Sequence, residues 1–354
     1  MEIAELGEFG LIRHLTDDIQ IHNPETIVGV GDDCAVIQPA SGRQILVSTD
    51  LLMEGIHFDL QYMPLKHLGY KSAMVNLSDI YAMNGRPRQM TVSLAISKRF
   101  NVEQLEEFYA GLRLACEACQ CDIVGGDTTS SLTGFAISIT VIGDADPDKI
   151  VRRKGAKEND IICVTGDLGA AYMGLQLLER EKMVYNQQVN EARRLGKNAD
   201  SIGDFQPDFS GREYLLERQL KPEARGDIIK ALDEAGIVPN AMMDISDGLS
   251  SELIHICTQS NVGCRIYEER IPLDYQTATA AEELNLNVTT CALNGGEDYE
   301  LLFTVPLTLN EQVAAIPGVK IIGYITKPEQ GRYLVCRDGT EMELKAQGWN
   351  PLKK

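Results

Sequence analysis

Positive charge is what this sequence has least of: 33 lysines and arginines stand against 52 aspartates and glutamates, a formal net charge of −19. Nucleic-acid affinity comes largely from Lys and Arg neutralising phosphates, so a binder of DNA or RNA working through a basic surface is excluded. Long apolar runs are also missing. None approaches the ~20 residues that span a bilayer, so no membrane partner is expected. The first residues carry Glu2 and Glu5 with no apolar stretch behind them, unlike a secretory signal, and a cytoplasmic location is expected. No Gly-x-x-x-x-Gly-Lys-Ser/Thr occurs and no Gly-x-Gly-x-x-Gly, which removes the P-loop, dinucleotide and kinase-loop routes to phosphate binding. With only five histidines, no Ser-His-Asp triad can be assembled, and no EF-hand spacing supports a calcium store. Nine cysteines are scattered. Cys116, Cys119 and Cys121 cluster but lack a second pair at zinc spacing, so buried free thiols in a reducing compartment are expected.

The length of 354 residues suggests two domains. Leu6, Phe9, Ile12, Leu15 and Ile19 recur at helical spacing and predict a helix over the first twenty residues. Cys34 to Ile37 and Ile45 to Ser48 read as strands joined by a turn at Pro39 to Gly42. Lys66 to Asn84 has helical periodicity and stops at Asn84-Gly85. A strand over 90–96, a helix over 102–119, a short strand over 122–124 and a strand over 135–142 complete a first half. Alternation of this kind predicts an α/β or α+β sheet with helices on its face. A boundary falls near Gly143 to Asp148, giving domains at 1–148 and 149–354. The second half continues with strand-like segments at 161–164, 241–243, 301–305 and 319–325. Residues 181–213, polar and rich in Asn and Gln, read as a surface insertion, part helical and part mobile.

What the chain does have is carboxylates where apolar runs meet turns: Asp33, Asp50, Asp79, Asp127, Asp244, Asp247 and Glu297-Asp298. Any one of them could be a turn former or a helix cap. Collected in one place they could not all stay ionised, because two carboxylates ~5 Å apart repel by roughly 3 kcal/mol at an effective dielectric of ~20. Cations would then have to join them, and hard oxygen ligands point to Mg²⁺ or Ca²⁺. Ser48 and Thr49 add hydroxyls beside Asp50. Asn76 and Asp79 project from one helix face. Gly125-Gly126-Asp127 follows a short strand and could admit a phosphate or make a plain tight turn. His57, in an apolar context, is either structural or within reach of a substrate. Arg152-Arg153-Lys154 is the basic run near the predicted domain junction.

The motifs Gly31-Asp32-Asp33-Cys34-Ala35, Ser48-Thr49-Asp50 through Gly55-Ile56-His57-Phe58, Asn76-Leu77-Ser78-Asp79, Gly125-Gly126-Asp127, Arg153-Lys154-Gly155-Ala156, Asp244-Ile245-Ser246-Asp247-Gly248-Leu249 and Gly295-Gly296-Glu297-Asp298-Tyr299-Glu300-Leu301 together resemble the thiamine-monophosphate kinase family. That family sits within the aminoimidazole ribonucleotide synthetase-like superfamily. The resemblance implies ATP-dependent phosphorylation of thiamine phosphate to thiamine diphosphate, in a two-domain subunit whose N-terminal sheet domain forms a homodimer and whose C-terminal domain is α/β. It implies Mg²⁺ ligands at Asp33, Ser48, Thr49, Asp50, Asp79, Asp127, Asp244 and Asp247. It implies ATP contacts at Gly126, Asp127, Arg153 and Ser246, and thiamine phosphate contacts at His57, Glu297 and Trp349. Trp349 has a second reading, as a hydrophobic plug. No residue is assigned as general base, because the attacking phosphate oxygen is already anionic and Mg²⁺-assisted in-line transfer needs only positioning and charge neutralisation. The superfamily's selenophosphate and hydrogenase-maturation branches fit less well: no reactive Cys or Lys stands near the N-terminus, and the chain ends Pro351-Leu352-Lys353-Lys354 without a terminal cysteine.

Overall fold

A computed structural model describes residues 14–28, 36–195 and 207–347. Three expectations fall outside the described residues: most of the first helix, the segment Gly31 to Ala35 with Asp33, and Trp349. The same holds for 196–206, within the expected insertion at 181–213.

The first sheet is four-stranded, in the order β3-β6-β4-β5. Its strands are β3 (Gln44–Met53), β4 (Arg86–Ile96), β5 (Asp122–Ser130) and β6 (Ala136–Ala145). A short ribbon of β1 (Thr26–Val28) and β2 (Val36–Ile37) precedes them. Period-two alternation sets the two faces of the sheet. Leu46, Leu52, Met90, Val92, Leu94, Ile137, Ile139 and Val141 are buried on one, whereas Ile45, Val47, Leu51 and Met53 are exposed on the other.

Two strands run further than their apolar cores suggest. Strand β3 pairs with β6 through all ten of its residues, so Thr49 and Asp50 lie inside the strand rather than after it. Strand β5 continues through Gly125-Gly126-Asp127 in parallel pairing with β4, which corrects the short strand expected over 122–124 and removes the tight-turn alternative. The physical reason is close approach: a Cβ on Gly126 would sit 1.8 Å from the Val92 carbonyl oxygen.

On the buried face lie α1 (Leu65–Ala82) and α2 (Val102–Cys119). Helix α2 opens with a reciprocal cap, in which the Gln104 N–H donates to Asn101 Oδ1 at 2.9 Å and the Asn101 N–H to Gln104 Oε1 at 3.0 Å. Beyond α1, Asn84 takes the expected left-handed conformation, φ +58°. The two helices touch backbone to backbone. A Cβ on Gly69 would stand 1.9 Å from the Phe108 carbonyl oxygen, and one on Gly111 would stand 1.7 Å from that of Lys66. Gly111→Ala is therefore expected to lower stability by about 1–3 kcal/mol through forced separation of the helices, read as a lower urea midpoint at unchanged slope.

The second sheet is seven-stranded, in the order β13-β12-β9-β11-β7-β10-β8. In chain order these are β7 (Asp160–Thr165), β8 (Ala241–Asp244), β9 (Gly263–Tyr267), β10 (Leu301–Pro306), β11 (Val319–Thr326), β12 (Arg332–Val335) and β13 (Glu341–Glu343). Its pairings are antiparallel apart from β9 with β12. The helices of this half include α3 (Ala170–Arg194), α4 (Glu213–Leu220), α5 (Gly226–Glu234), α6 (Leu249–Ser260), α7 (Tyr275–Glu283) and α8 (Val288–Asn294). Mixed helix and sheet in two sheets is the α+β architecture expected. Helix α3 carries the first part of the supposed insertion as regular helix.

Helix α1 is the hinge pin of this arrangement. It is buried along most of its length and packs against the first sheet while also touching β8 of the second. One core cluster accordingly runs through both halves, joining Leu68, Met74 and Leu77 to Cys163, Met242 and Phe303. A helix enclosed on all sides is normally apolar all round. Five of the polar residues α1 carries, Lys71, Ser72, Asn76, Ser78 and Asp79, have side-chain partners.

Candidate active site

A cleft of about 520 Å³ opens between the two halves, and α1 forms part of its floor. Lys71, Val75 and Asp79 follow one another at i, i+4 and i+8 along that wall.

Opposite them comes β3, an edge strand whose outward N–H groups need partners. The Asp50 N–H donates to Asn76 Oδ1 at 3.0 Å, while Asn76 Nδ2 donates to the Ser72 carbonyl at 2.9 Å. Ser48 Oγ donates to Asp79 Oδ2. The third acid arrives on β8: Ser78 Oγ donates to Asp244 Oδ2 at 2.6 Å. Three elements thus bring Asp50, Asp79 and Asp244 to one place. Burial, and then the charge of Asp79, pushes Asp50 up to about 6. The same two causes in the same order raise Asp244. Burial raises Asp79 as well, against the opposing pull of the Ser48 hydroxyl and Arg153. Burial is the first cause at all three, and neighbouring carboxylate charge adds to it at Asp50 and Asp244.

Asp247 stands on the loop between β8 and α6. The cap of α6 is Gly248, at φ +118° with no side-chain cap bond, so neither Asp244 nor Asp247 serves as its cap. Burial raises Asp247, while His255 and Arg153 lower it. The Asp247 N–H donates to Glu252 Oε1 at 3.0 Å, and burial pushes Glu252 up to about 8.

The segment 295–300 closes the cleft from below. Gly296, Glu297 and Tyr299 all take positive φ, +73°, +58° and +51°. Such backbone in non-glycine residues persists only where the surroundings enforce it. The Glu297 N–H donates to the Ser246 carbonyl at 2.7 Å and the Tyr299 N–H to that of Ile245 at 2.9 Å. Asp298 accepts from the Gly169 N–H at 2.9 Å, and Glu300 from Arg218 Nη1 at 2.8 Å. Asp298 is thereby an internal anchor, and Glu297 is the acid that lines the cleft.

His57 lines it too. The Met53 N–H donates to His57 Nδ1 at 3.0 Å, so Nδ1 accepts and the ring proton of the neutral imidazole belongs on Nε2. Burial holds His57 below the ordinary imidazole value in spite of Glu297.

The remaining candidates are placed differently. Thr49 is exposed on the opposite face of β3, where its Oγ1 donates to the Ile139 carbonyl at 3.0 Å and accepts from Thr140 Oγ1. Gly126 and Asp127 sit exposed on edge strand β5, Asp127 in register with Ser93, and neither lines the cleft. Ser246 does line it; Arg153 is exposed, near enough to act on Asp79 and Asp247.

Sequence reasoning missed Lys71, Gln219, Tyr62, Tyr172, Glu179 and Lys182, all lining the cleft. Lys71 did leave a signal, a lone lysine inside an apolar helical run. The others left none, since the loop with Tyr62, helix α3 and helix α4 meet the cleft only through tertiary packing. Lys182, inside the expected surface insertion, pairs with Asp59 at 2.8 Å and Glu179 at 3.1 Å across the cleft mouth.

Residues 31–145 match the family described as AIR synthase related protein, N-terminal domain. A thiamine-monophosphate kinase of Bacillus subtilis is 32% identical, over 98% of this chain and all of its own. One from Aquifex aeolicus is 36% identical over 99% of both chains. The chain belongs to the thiamine-monophosphate kinase family. A solved structure, AaThiL complexed with AMPPCP and TMP, superposes with a TM-score of 0.72 at 32% identity, covering 99% of both chains. A hydrogenase maturation protein HypE in complex with ATP shares the fold, with a TM-score of 0.71 at 19% identity.

Proposed function

We propose that this member of the thiamine-monophosphate kinase family phosphorylates thiamine phosphate to thiamine diphosphate, with ATP as phosphoryl donor and ADP as second product. The observation that carries the reading is the convergence of Asp50, Asp79 and Asp244 in one cleft, in a chain similar over its whole length to kinases of that name. A cleft lined with acids is the wrong environment for a phosphate unless divalent cations stand between them.

The residues present fit Mg²⁺. Their donors are oxygens, and the raised carboxylates are those that a cation would relieve. Among the described residues no group of three or more His, Cys, Asp or Glu side chains is placed to hold a metal ion, so the ions would take further oxygens from the substrate phosphates. Asp50, Asp79, Asp244 and Asp247 would hold Mg²⁺, with Ser48 beside them; Thr49 and Asp127, which do not line the cleft, and Asp33, outside the described residues, complete the proposed set. When bound, the ions would neutralise charge on the phosphates.

The chain's own part is positioning. Arg153 and Ser246, with Gly126 and Asp127 on β5, are the proposed ATP contacts. His57 and Glu297, both lining the cleft, are the proposed thiamine phosphate contacts; Trp349 is a further one. The acceptor oxygen is already anionic, so in-line transfer needs no general base. The exposed Ile45, Val47, Leu51 and Met53 on the open face of the first sheet support a homodimer formed through the domain at 1–148, with 149–354 as the second domain. No described helix is long and apolar enough to cross a membrane, and a cytoplasmic protein with neither a nucleic-acid nor a membrane partner accords with the acidic composition.

Purified protein supplied with ATP, Mg²⁺ and thiamine phosphate is expected to release ADP and thiamine diphosphate in equal amounts, and to sediment as a dimer. ADP without thiamine diphosphate, or no turnover at all, would refute the reaction; a monomeric mass would remove the dimer.

A further inference from the structure

Among the described residues, seven carboxylates line the cleft and only two lysines. Lys182 is at the mouth, held by Asp59 and Glu179. Lys71 lies deep, with 2% of its side chain exposed. Its Nζ is 3.1 Å from Glu297 Oε1 and donates to the Gln219 carbonyl at 2.9 Å. Gln219 Nε2 in turn donates to Glu297 Oε2 at 2.7 Å. Three elements, α1, α4 and the 295–300 segment, meet at this one ammonium.

Burying a lysine so completely costs free energy that a single carboxylate partner recovers only in part. A structural role would be served as well by a neutral amide or an apolar pair. Two of the three N–H donors of Nζ have partners among the described residues, which leaves one for a guest. In a cleft this acidic, the guest that most needs a fixed positive charge is an anion.

We propose that Lys71 is a specificity-determining residue that binds the phosphate already present on the acceptor, with Glu297 as its partner in the empty cleft. Lys71 then sets the choice between a phosphomonoester and the corresponding free alcohol, which offers no anion to the ammonium. Gln219 holds Glu297 so that the ammonium stays directed toward the cleft. This rests on the acceptor being thiamine phosphate.

Binding of thiamine and of thiamine phosphate, each measured by calorimetry without nucleotide, tests it on the intact protein. The parent chain is expected to prefer the phosphorylated form. Lys71→Met is expected to cut affinity for thiamine phosphate by about ten- to a hundredfold, the usual scale for losing a hydrogen bond to a charged group, and to leave thiamine binding within about twofold, so that the preference collapses. Lys71→Arg should keep most of it. If the lone methionine leaves Glu297 unpaired and the fold suffers, Lys71→Met with Glu297→Gln removes both charges, and the preference should still be lost relative to Glu297→Gln alone. An equal loss for both ligands would show that Lys71 only supports the cleft, and an unchanged preference would overturn the proposal outright. Failure of the parent chain to bind thiamine phosphate would instead count against the proposed function.

Discussion

Asp50→Asn is expected to reduce ADP release in the presence of thiamine phosphate by about 10²–10³-fold or more, the scale seen when one preorganised electrostatic group is lost, while the melting temperature stays level or rises. The two effects share one cause. Asp50 is buried beside Asp79, and burial together with that charge lifts it to about 6; the metal-free fold therefore gains when the charge is removed. Asparagine keeps the size and the hydrogen-bonding edge, and the main-chain bond from Asp50 N–H to Asn76 Oδ1 is untouched. What disappears is the anionic oxygen proposed to hold Mg²⁺. A turnover assay beside a thermal melt separates the possibilities: full activity would leave Asp50 a strand residue without catalytic weight, and a collapsed melting temperature would make it structural.

The second large effect is on pH. A carboxyl whose pKa stands higher in the folded than in the unfolded chain binds more protons when folded, between the two values. Its contribution is complete below the unfolded value and is lost as pH rises through the folded one. For Asp50 that window runs from about 3.8 to about 6, and for Glu252 from about 4.5 to about 8. Asp298, lifted by burial to about 7, adds the same sign. His57 and His67, both lowered by burial, oppose it below their ordinary value near 6.5, but the raised carboxyls outnumber them. Metal-free protein is thus expected to melt higher at pH 5.5 than at pH 8. Saturating Mg²⁺ should raise the melt at pH 8 by more than at pH 5.5, where protons already occupy the carboxylates. A melt that falls on acidification, or a metal effect independent of pH, would contradict the assignment.

Much of this site could be read before any coordinates. Ser48, Asp50, Asp79, Asp244 and Asp247 were legible because each stands next to an apolar run whose period fixes where it ends. Helix α1 was legible from its spacing. Strand ends were less so: the polar stretch Ser48-Thr49-Asp50 reads as the end of a strand, and only the ladder to β6 carries the strand on to Met53. Gly125-Gly126 reads as a phosphate site or a tight turn, and only the packing of β5 against Val92 makes Gly126 a matter of clearance. Lys71 with Gln219, 148 positions apart, and Asp59 with Lys182 are pairings that no local period can announce.

The core that passes through α1 from one sheet to the other bears on how such a chain can vary. Leu68, Met74 and Leu77 pack in the same continuous cluster as Met242 and Phe303, so the first half shares its interior with one face of the second sheet, whose other face has a separate core. Halves taken from two relatives would meet at mismatched surfaces, and a recombinant chain would have to keep α1 together with the sheet it faces on each side. Divergence in this chain is then easiest at the rim, along α3 and on the open face of the first sheet, and hardest at the helix that joins the two cores.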